Sequence, residues 1–268
     1  MDGRLLLAVD GDSLAHRAYH ALPKSIANNA VLGFSNFLVR LWDAEQPAAV
    51  LVAWDSLDEP TYRHEALPAY QSGREFEDSI VAQLDLLPDF VSSFGFACAK
   101  APGYEADDFL AAAARRWKGP VAVATSDRDA FQLASERVTI LQPVKGVSEL
   151  ARVGPAQVRE RYGVEPEQVP DFIALRGDSS DRIPGAPGVG PKTAAAVLKQ
   201  YGSLEAALAA GRFAAVADDL RLYRQIARMD PNAPLPRLAA QKPKWAAGAE
   251  RARELGLNAL AKRLTDRA

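Results

Sequence analysis

The sequence predicts an α/β fold in which a mostly parallel central sheet is flanked by helices and followed by a helical C-terminal region. Short apolar runs of strand length alternate with helical patterns over residues 1–150. No further strand pattern follows residue 150. Acidic residues stand where successive strands end, at the edge where parallel sheets bind their ligands.

The first 150 residues contain five strand patterns separated by helical ones. The predicted strands are Leu5–Val9, Ala48–Trp54, Phe94–Ala99, Pro120–Thr125 and Arg137–Leu141. The predicted helices between them are Leu14–Tyr19, Asn29–Asp43, Glu77–Ser93, Asp107–Trp117 and 126–133. Pro88 is expected to end or kink the third of these helices, and residues 60–75 are expected to be irregular.

The C-terminal part reads as helices joined by loops. The predicted helices are Pro155–Tyr162, Glu167–Arg176, Ala194–Tyr201, 203–210 and 213–229, with one or two more after an irregular stretch at 230–248. We therefore expect an α/β domain over residues 1–150, which carries the acids, and a helical region over residues 151–268.

Composition limits the possible function classes. The 268 residues hold one cysteine, Cys98, and three histidines, which excludes an internal disulfide and a zinc site built from cysteines. No apolar run approaches the roughly 20 residues that span a bilayer. We expect a cytoplasmic protein with no membrane partner.

Charge is distributed unevenly along the chain. Residues 1–181 hold 17 Lys and Arg against 27 Asp and Glu, a formal charge of −10, whereas residues 182–268 hold 15 against 7, a formal charge of +8. The basic part suits a polyanion such as nucleic acid, although a solvated helical surface would have the same composition.

The acids at the strand ends are the main functional signal. They are Asp10, Asp55, Glu105, Asp107, Asp108, Asp127 and Asp129, joined by Asp178 and Asp181 in a later loop. Each alone would be an ordinary turn or helix cap. Crowded at one edge they would repel, and bound divalent cations would relieve this repulsion. Carboxylate ligands favour Mg²⁺ or Mn²⁺, two of which together can cleave a phosphodiester.

A glycine-rich element precedes one C-terminal helix. Gly185, Gly188 and Gly190 lead into a helix at Lys192 and Thr193. Backbone N–H groups at such a helix start can bind phosphate, and Lys192 adds a positive charge. This pattern predicts contact with a nucleic-acid backbone and not with base edges; the alternative is a simple linker and turn.

Taken in order, seven motifs resemble those of the 5′ nuclease, or flap endonuclease, family, which includes the N-terminal 5′–3′ exonuclease domain of bacterial DNA polymerase I. The motifs lie at residues 9–11, 53–55, 62–65, 102–108, 125–129, 177–181 and 188–193. The resemblance covers nearly the whole chain. Because no polymerase sequence follows, the sequence suggests a free-standing member.

The resemblance implies a fold, an activity and a set of ligands. The fold would be PIN-like, with a helix–three-turn–helix DNA-binding element at about 183–201 and an arch at about 70–90. The activity would be cleavage of 5′ flaps and 5′ ends of DNA by two metal ions, in replication and repair. The first metal site would comprise Asp10, Asp55, Glu105, Asp107 and Asp108; the second would comprise Asp127, Asp129, Asp178 and Asp181, with Asp108 near both.

The resemblance also implies accessory ligands and partners. It implies a K⁺ ion at the helix–three-turn–helix element and RNA primers as further substrates. It also implies a DNA polymerase or ligase as a partner. The protein would be a monomer in the bacterial cytoplasm. Within the glycine-rich element, Gly188, Gly190, Lys192 and Thr193 would contact DNA.

One position departs from the family pattern. Where many relatives have a lysine at the base of the arch, this chain has Gln71, which can donate a hydrogen bond but brings no charge. Arg74 matches the family pattern and would clamp the scissile phosphate. Gln71 would be the second catalytic residue. Arg63 also matches as a DNA contact, and Tyr70 would stack on a terminal base or belong to the core.

Three alternatives follow from these observations. The loss of the lysine allows a weakly active homologue that chiefly binds branched DNA. A PIN-type ribonuclease would share the strand-end acids but not the element at 185–193. A phosphatase with an aspartyl nucleophile would suit Asp10-Gly11-Asp12 but leaves the basic helical half without a role.

Overall fold

A six-stranded sheet runs through the computed structural model, which describes residues 3–56, 59–73, 75–145 and 149–268. Its strands lie in the order β3-β2-β1-β4-β5-β6, and all neighbours are parallel except β5 and β6. The strands are Leu6–Asp10 (β1), Ala49–Ala53 (β2), Ala97–Ala99 (β3), Val121–Ala124 (β4), Val138–Lys145 (β5) and Glu149–Val153 (β6). The predicted mostly parallel α/β sheet is confirmed.

Helices cover the sheet and form the C-terminal region. The α-helices are Gly11–Ala21 (α1), Asn29–Glu45 (α2), Tyr62–Ala66 (α3), Asp78–Ser93 (α4), Ala106–Arg116 (α5), Pro155–Tyr162 (α6), Val169–Arg176 (α7), Pro191–Tyr201 (α8), Leu204–Ala209 (α9), Ala217–Ala227 (α10), Trp245–Glu254 (α11) and Asn258–Thr265 (α12). Short 3₁₀ turns lie at Asp129–Leu133, Pro166–Gln168 and Ala214–Val216. In the described part of the chain no helix is both long and apolar enough to cross a bilayer.

The sheet is buried on both faces, which explains its apolar strands. Side chains alternate along a strand, so Leu6 and Ala8 face one apolar layer while Leu7 and Val9 face the other. The first layer includes α5 and the helices α7 to α10. The second includes α1, α2, α4 and the last two helices.

The parallel register brings the acidic strand ends to one edge. Asp10 at the end of β1 is level with Ala53 of β2, and Val9 is level with Ala124 of β4. Asp55 therefore follows its strand at the same edge as Asp10. This register is the reason why acids far apart in the sequence share one rim.

Several elements differ from the sequence-based expectation. Strand β6 was not predicted, because its residues at 149–153 pair antiparallel with β5 after a short connection and carry little apolar alternation. The predicted boundary at residue 150 falls inside this strand. The helix predicted at 126–133 is a single 3₁₀ turn.

The predicted arch at 70–90 is mostly a packed helix. Helix α4 begins at Asp78 and buries Ile80, Leu84 and Leu87 against the second layer. Pro88 lies inside this helix without ending it. The part of the predicted arch outside the packed helix is therefore confined to residues 70–77.

The last two helices belong to the sheet layer and not to the helical region that the sequence suggested for 151–268. The backbone N–H of Gln241 donates to the Ala48 carbonyl at 2.8 Å, and that of Lys244 donates to the Phe94 carbonyl at 2.8 Å. Trp245 at the start of α11 packs on the ring of Phe94. The end of the chain thus covers the N-terminal layer.

A buried ion pair joins three helices behind the acidic rim. Arg63 on α3 donates from its two terminal nitrogens to Asp108 on α5, at 2.9 and 2.7 Å. Its Nε donates to the carbonyl of Ile226 on α10 at 2.9 Å. Arg63 is 3% exposed and Asp108 is not exposed at all. The pair therefore connects the sheet layer to the C-terminal helices.

Breaking this pair should destabilise the whole chain. Arg63→Met leaves the Asp108 carboxylate buried without its cation, which typically costs about 3–5 kcal/mol. We expect the melting temperature to fall by about 10 °C, as measured by differential scanning calorimetry. Replacing both partners, Arg63→Met with Asp108→Leu, should cost less than the sum of the single changes; an additive loss would contradict a direct pair.

Candidate metal centre and nucleic-acid interface

Asp10 is fixed at the centre of the acidic rim. One of its oxygens accepts from the backbone N–H of Ser13 at 3.0 Å and so caps helix α1. The other accepts from the Thr125 hydroxyl at 2.6 Å, at the end of β4. The same hydroxyl oxygen accepts from the backbone N–H of Asp127 at 3.0 Å. These bonds hold the ends of β1 and β4 in a fixed relation.

Asp55 connects the end of β2 to the start of helix α5. Its carboxylate accepts from the backbone N–H of Ala106 at 2.7 Å. Its own backbone N–H donates to the carboxylate of Asp12 at 2.7 Å. Asp12 is buried beside Asp10 and was missing from the predicted set. The string Asp10-Gly11-Asp12-Ser13 at a strand end was the signal that could have identified it.

The glycine between these two aspartates permits close packing. A Cβ atom on Gly11 would lie 2.4 Å from the ring of Trp54, which precedes Asp55. The absence of a side chain at Gly11 lets α1 begin directly against the end of β2, so Asp10, Asp12 and Asp55 lie close together.

Asp107 points into this group. Its Oδ1 atom is buried and has no hydrogen-bond partner among the residues that the structure describes. Burial raises the pKa of Asp107 well above its ordinary value, and the negative charges of Asp127, Asp10 and Asp55 raise it further. A buried carboxylate oxygen left without a donor is costly unless a cation or a proton accompanies it.

The neighbouring carboxyls share this behaviour. Burial and the charges of Asp55 and Asp127 raise the pKa of Asp10 to about 7, despite the hydrogen bond from Thr125. Burial and the charge of Asp55 also raise the pKa of Asp12 well above its ordinary value. Mutual repulsion among these groups is what a divalent cation would relieve.

A second group of acids lies beyond Asp127. Burial raises the pKa of Asp129, and the charges of Asp127, Asp181 and Asp178 raise it further. Asp178 accepts from Arg176 at 2.9 Å. Partial burial opposes the ionisation of Asp178, but hydrogen bonds from Ser180 and the charge of Arg176 lower its pKa overall.

Two glycines shape the loop that carries Asp178 and Asp181. Gly177 and Gly185 both have a φ of 77°, in the region that disfavours a side chain. A Cβ on Gly185 would lie 2.4 Å from the backbone nitrogen of Gly177. The close approach of these two glycine backbones closes the loop, and the charges of both its aspartates act on Asp129.

Asp127 links the two groups electrostatically. Its charge raises the pKa of Asp10 and Asp107 on one side and of Asp129 on the other. The sequence had suggested Asp108 for this position.

Asp108 is corrected from a metal ligand to a structural residue. Its carboxylate accepts from Arg63, from the hydroxyl of Tyr62 at 3.3 Å and from the backbone N–H groups of Glu105 and Asp230 at 3.2 and 2.8 Å. These donors occupy both oxygens. The carboxylate therefore stabilises the start of α5, while the adjacent Asp107 turns to the rim.

Glu105 lies between these two environments. Its oxygens accept from the hydroxyls of Thr61 and Tyr70, each at 3.0 Å, and one lies 3.3 Å from Arg63. Burial raises its pKa, and the charge of Asp55 adds to this while Arg63 opposes it. Glu105 is thus held at the outer edge of the first group.

As the side chains stand, no set of three or more Asp, Glu, His or Cys within the described ranges is close enough together to enclose a metal ion. The donor set nevertheless fits a hard divalent cation: it is made of carboxylate oxygens, and Oδ1 of Asp107 is buried without a donor.

Gln71, predicted as a catalytic residue, lies beside the second group. Its amide nitrogen donates to Asp181 at 3.1 Å and to the hydroxyl of Tyr70 at 2.8 Å. Its backbone N–H donates to the Asp181 carbonyl at 3.2 Å. Arg74, the other predicted catalytic residue, lies outside the described residues.

The side chains of two residues predicted as DNA contacts are buried, and Tyr70 lies in the core, the alternative that the sequence left open. Tyr70 is 3% exposed, and its hydroxyl is bonded to Glu105, so its ring offers no face to a base. Arg63 is enclosed by Asp108 and the Ile226 carbonyl and cannot reach solvent. Both residues instead hold acids of the rim in place.

The glycine-rich element faces a wide cleft with the second acidic group. Gly188 has a φ of 73° and open space where a Cβ would stand. Gly190 precedes helix α8, and Lys192 and Thr193 are exposed in its first turn. The cleft of about 1000 Å³ is lined by the acids Asp127, Asp129, Asp178 and Asp181 and by the cations Lys192, Arg128, Arg161 and Arg176.

Sequence comparison assigns both parts of the chain to one family. Residues 5–163 match the model of the 5′–3′ exonuclease N-terminal, resolvase-like domain, and residues 164–245 match that of the 5′–3′ exonuclease C-terminal SAM-fold domain. The two matches meet ten residues after the end of β6 at Val153.

Curated relatives include bacterial DNA polymerases I. The chain is 43% identical to DNA polymerase I of Mycobacterium bovis over 210 residues, which is 74% of this chain and 23% of the relative. It is 38% identical to the thermostable DNA polymerase I of Thermus thermophilus over 252 residues, 87% of this chain and 29% of the relative. The chain thus spans about a quarter of the length of the relatives it matches.

Solved structures share the fold at low sequence identity. A zinc-bound T5 5′-exonuclease has a TM-score of 0.72 at 18% identity, covering 98% of this chain and 99% of that one. The catalytic core of Rad2 in complex with DNA has a TM-score of 0.64 at 14% identity, covering 98% and 93%. These likenesses confirm the sheet with its C-terminal helical region, and the matches at 5–163 and 164–245 show that the chain belongs to the 5′–3′ exonuclease family of nucleases.

Proposed function

We propose that the protein is a structure-dependent 5′ nuclease that hydrolyses phosphodiester bonds of branched or 5′-ended DNA with two divalent metal ions, in replication and repair. The observation that carries this proposal is the pair of acidic groups that share Asp127, the second of which lines the cleft with Lys192. One group alone could hold a structural cation. Two adjoining groups suit in-line cleavage of a phosphodiester.

The first ion would be held by Asp10, Asp55 and Asp107, with Asp12 and Glu105 at the edge of the site. The second would be held by Asp127, Asp129, Asp178 and Asp181. Such ions activate the attacking water and stabilise the leaving oxygen. Carboxylate oxygens favour Mg²⁺ or Mn²⁺ for both sites.

The residues of the chain itself would position the substrate. Lys192 and the backbone N–H groups at the start of α8 would hold a phosphate of the duplex. Arg128, Arg161 and Arg176 line the same cleft as the second acidic group, so a phosphate backbone lying there would meet positive charge next to the metal ligands.

The DNA-bound relatives support this choice of substrate. The solved structures with the same fold include a T5 flap endonuclease in a complex with DNA and metal ions, and human GEN1 in complex with Holliday junction DNA. The same proposal extends to RNA primers as further substrates and to a K⁺ ion at residues 183–201. It also extends to a polymerase or ligase partner.

A weakly active protein that chiefly binds branched DNA is the second candidate. Gln71 stands where many relatives have a lysine, and its amide is already bonded to Asp181 and Tyr70. No positive charge is thus offered to the scissile phosphate from this position. Cleavage by the metals alone would still proceed if electrostatic stabilisation comes mainly from them.

Asp127→Ala should abolish cleavage without abolishing DNA binding. Asp127 serves both acidic groups, so its loss should lower the Mn²⁺-dependent rate on a 5′-flap DNA by at least about 100-fold. Gel-based cleavage kinetics measure the rate, and fluorescence anisotropy measures the binding. Asp218→Ala, an exposed carboxylate paired with Arg221, is the control and should keep full activity. A wild-type protein that binds flaps tightly but gives no metal-dependent product would favour the second candidate.

Asp107→Asn should separate metal binding from folding. It removes one buried negative charge, so the metal-free protein should melt a few degrees higher than wild type. Added Mn²⁺ should raise the melting temperature of the wild type, because it binds only the folded state, and should raise that of the variant much less.

The adjacent residue provides the matched control. Asp108→Asn should lower the melting temperature, since it weakens the buried pair with Arg63, while preserving the response to Mn²⁺. Equal Mn²⁺ responses in wild type and Asp107→Asn would exclude Asp107 as a ligand.

Gln71→Lys should increase the cleavage rate, because it adds a positive charge beside the second acidic group. We expect about tenfold, or about 1.4 kcal/mol of barrier, measured as single-turnover cleavage of a 5′-flap DNA. Gln71→Met, of similar length but without charge or amide, should not increase it. An unchanged or lower rate for the lysine variant would show that another cation, such as Arg176, already acts on the phosphate.

A further inference from the structure

Three large apolar side chains are exposed in the described part of the chain: Ile26, Phe76 and Val144. Single exposed apolar residues are ordinary and need no explanation. Phe76 is different because of its position, since it lies within the predicted arch, two residues before helix α4, and lines a cleft that also holds acids of the first group.

The ring of Phe76 is one half of an aromatic pair. Its centroid lies 4.8 Å from that of His16 on α1, with the ring planes tilted by 41°. Phe76 is 42% exposed, so part of its ring remains open to the cleft after this contact. The ring is therefore supported from one side and available on another.

The segment that carries Phe76 is held in place. The next residue, Glu77, accepts from the Tyr19 hydroxyl at 2.9 Å and from Lys24 at 2.6 Å. Helix α4 follows directly and buries Ile80. A surface ring that is followed by a fixed segment loses little further freedom when a ligand binds to it.

The cleft in front of Phe76 combines apolar and acidic walls. Its volume is about 490 Å³, within the range of sites that bind small organic groups. Phe76, Val81 and Pro60 contribute apolar surface, while Asp55 and Glu105 belong to the first acidic group and Gln71 adjoins the second. An occupant would thus meet an aromatic face and the metal ligands together.

We propose that Phe76, supported by His16, is the stacking platform for an unpaired nucleobase of the 5′ strand next to the bond that is cut. This inference rests on the proposed nuclease function and adds the residue that recognises an unpaired strand. A base inside a duplex has both faces covered by its neighbours, whereas an unpaired base has a free face for an aromatic ring. Stacking tolerates every base, as expected for an enzyme that reads structure and not sequence.

Phe76→Ala should reduce kcat/KM for a 5′-flap DNA about tenfold, or about 1.4 kcal/mol, mainly through KM. Phe76→Trp should keep the wild-type value, because it offers a larger ring at the same place. Val144→Ala, which removes an exposed apolar side chain elsewhere, is the matched control and should change nothing. Circular dichroism melts should be alike for all variants, since the Phe76 ring is exposed.

A substrate change completes the test. A flap whose nucleotides nearest the junction are abasic should lower kcat/KM of the wild type. The decrease should be about the same factor as that caused by Phe76→Ala on the intact flap. The variant should lose little more on the abasic flap, since ring and base act as a pair. A 2-aminopurine at the same position should be quenched on binding wild type and Phe76→Trp, and not on binding Phe76→Ala.

The outcomes separate this inference from the function on which it rests. Suppose that the wild type cleaves flaps, and that Phe76→Ala either lowers kcat/KM equally on intact and abasic flaps or does not lower it at all. The stacking platform is then excluded and the nuclease function stands. If the wild type neither binds nor cleaves branched DNA, both are overturned.

Discussion

Repulsion between carboxylates at one edge of the sheet is the constraint on which the rest of the structure depends. Parallel pairing brings the ends of β1, β2 and β4 together, and with them Asp10, Asp55 and Asp127. Short hydrogen bonds from Ser13, Thr125 and backbone N–H groups fix these acids without neutralising them. The fold thus keeps negative charge concentrated at one edge of the sheet, and bound cations would relieve the resulting repulsion.

Adjacent acids on helix α5 are used in opposite ways. Asp107 faces the rim, and its Oδ1 atom has no hydrogen-bond partner among the described residues. Asp108 faces inwards and accepts hydrogen bonds from the guanidinium of Arg63. The buried pair holds α5 against the C-terminal helices and so fixes the direction in which Asp107 points. Arg63 and Tyr70 also support the acids, since Arg63 is bonded to Asp108 and the Tyr70 hydroxyl to Glu105.

The sheet and most candidate ligands could be predicted from the sequence, since strand-end acids and apolar periodicity are local signals. The prediction was wrong about Asp108, because the helix start alone does not show which of two neighbouring acids meets a buried arginine. It also missed Asp12, which resembles an ordinary helix-start residue until Asp55 is seen to donate to it. Burial of Arg63 depends on the Ile226 carbonyl, which is far away in the chain. A short sequence motif cannot predict such a long-range contact.

The packing of α11 and α12 into the second layer has a consequence for synthesis. The apolar side that α4 and Phe94 present to α11 is synthesised early, whereas its cover at residues 245–265 is synthesised much later. Until then Trp42, Phe94 and Phe96 lack the ring of Trp245. The N-terminal half of the chain therefore cannot complete its core ahead of the C-terminal half, and this surface is exposed to aggregation until α11 and α12 have been synthesised.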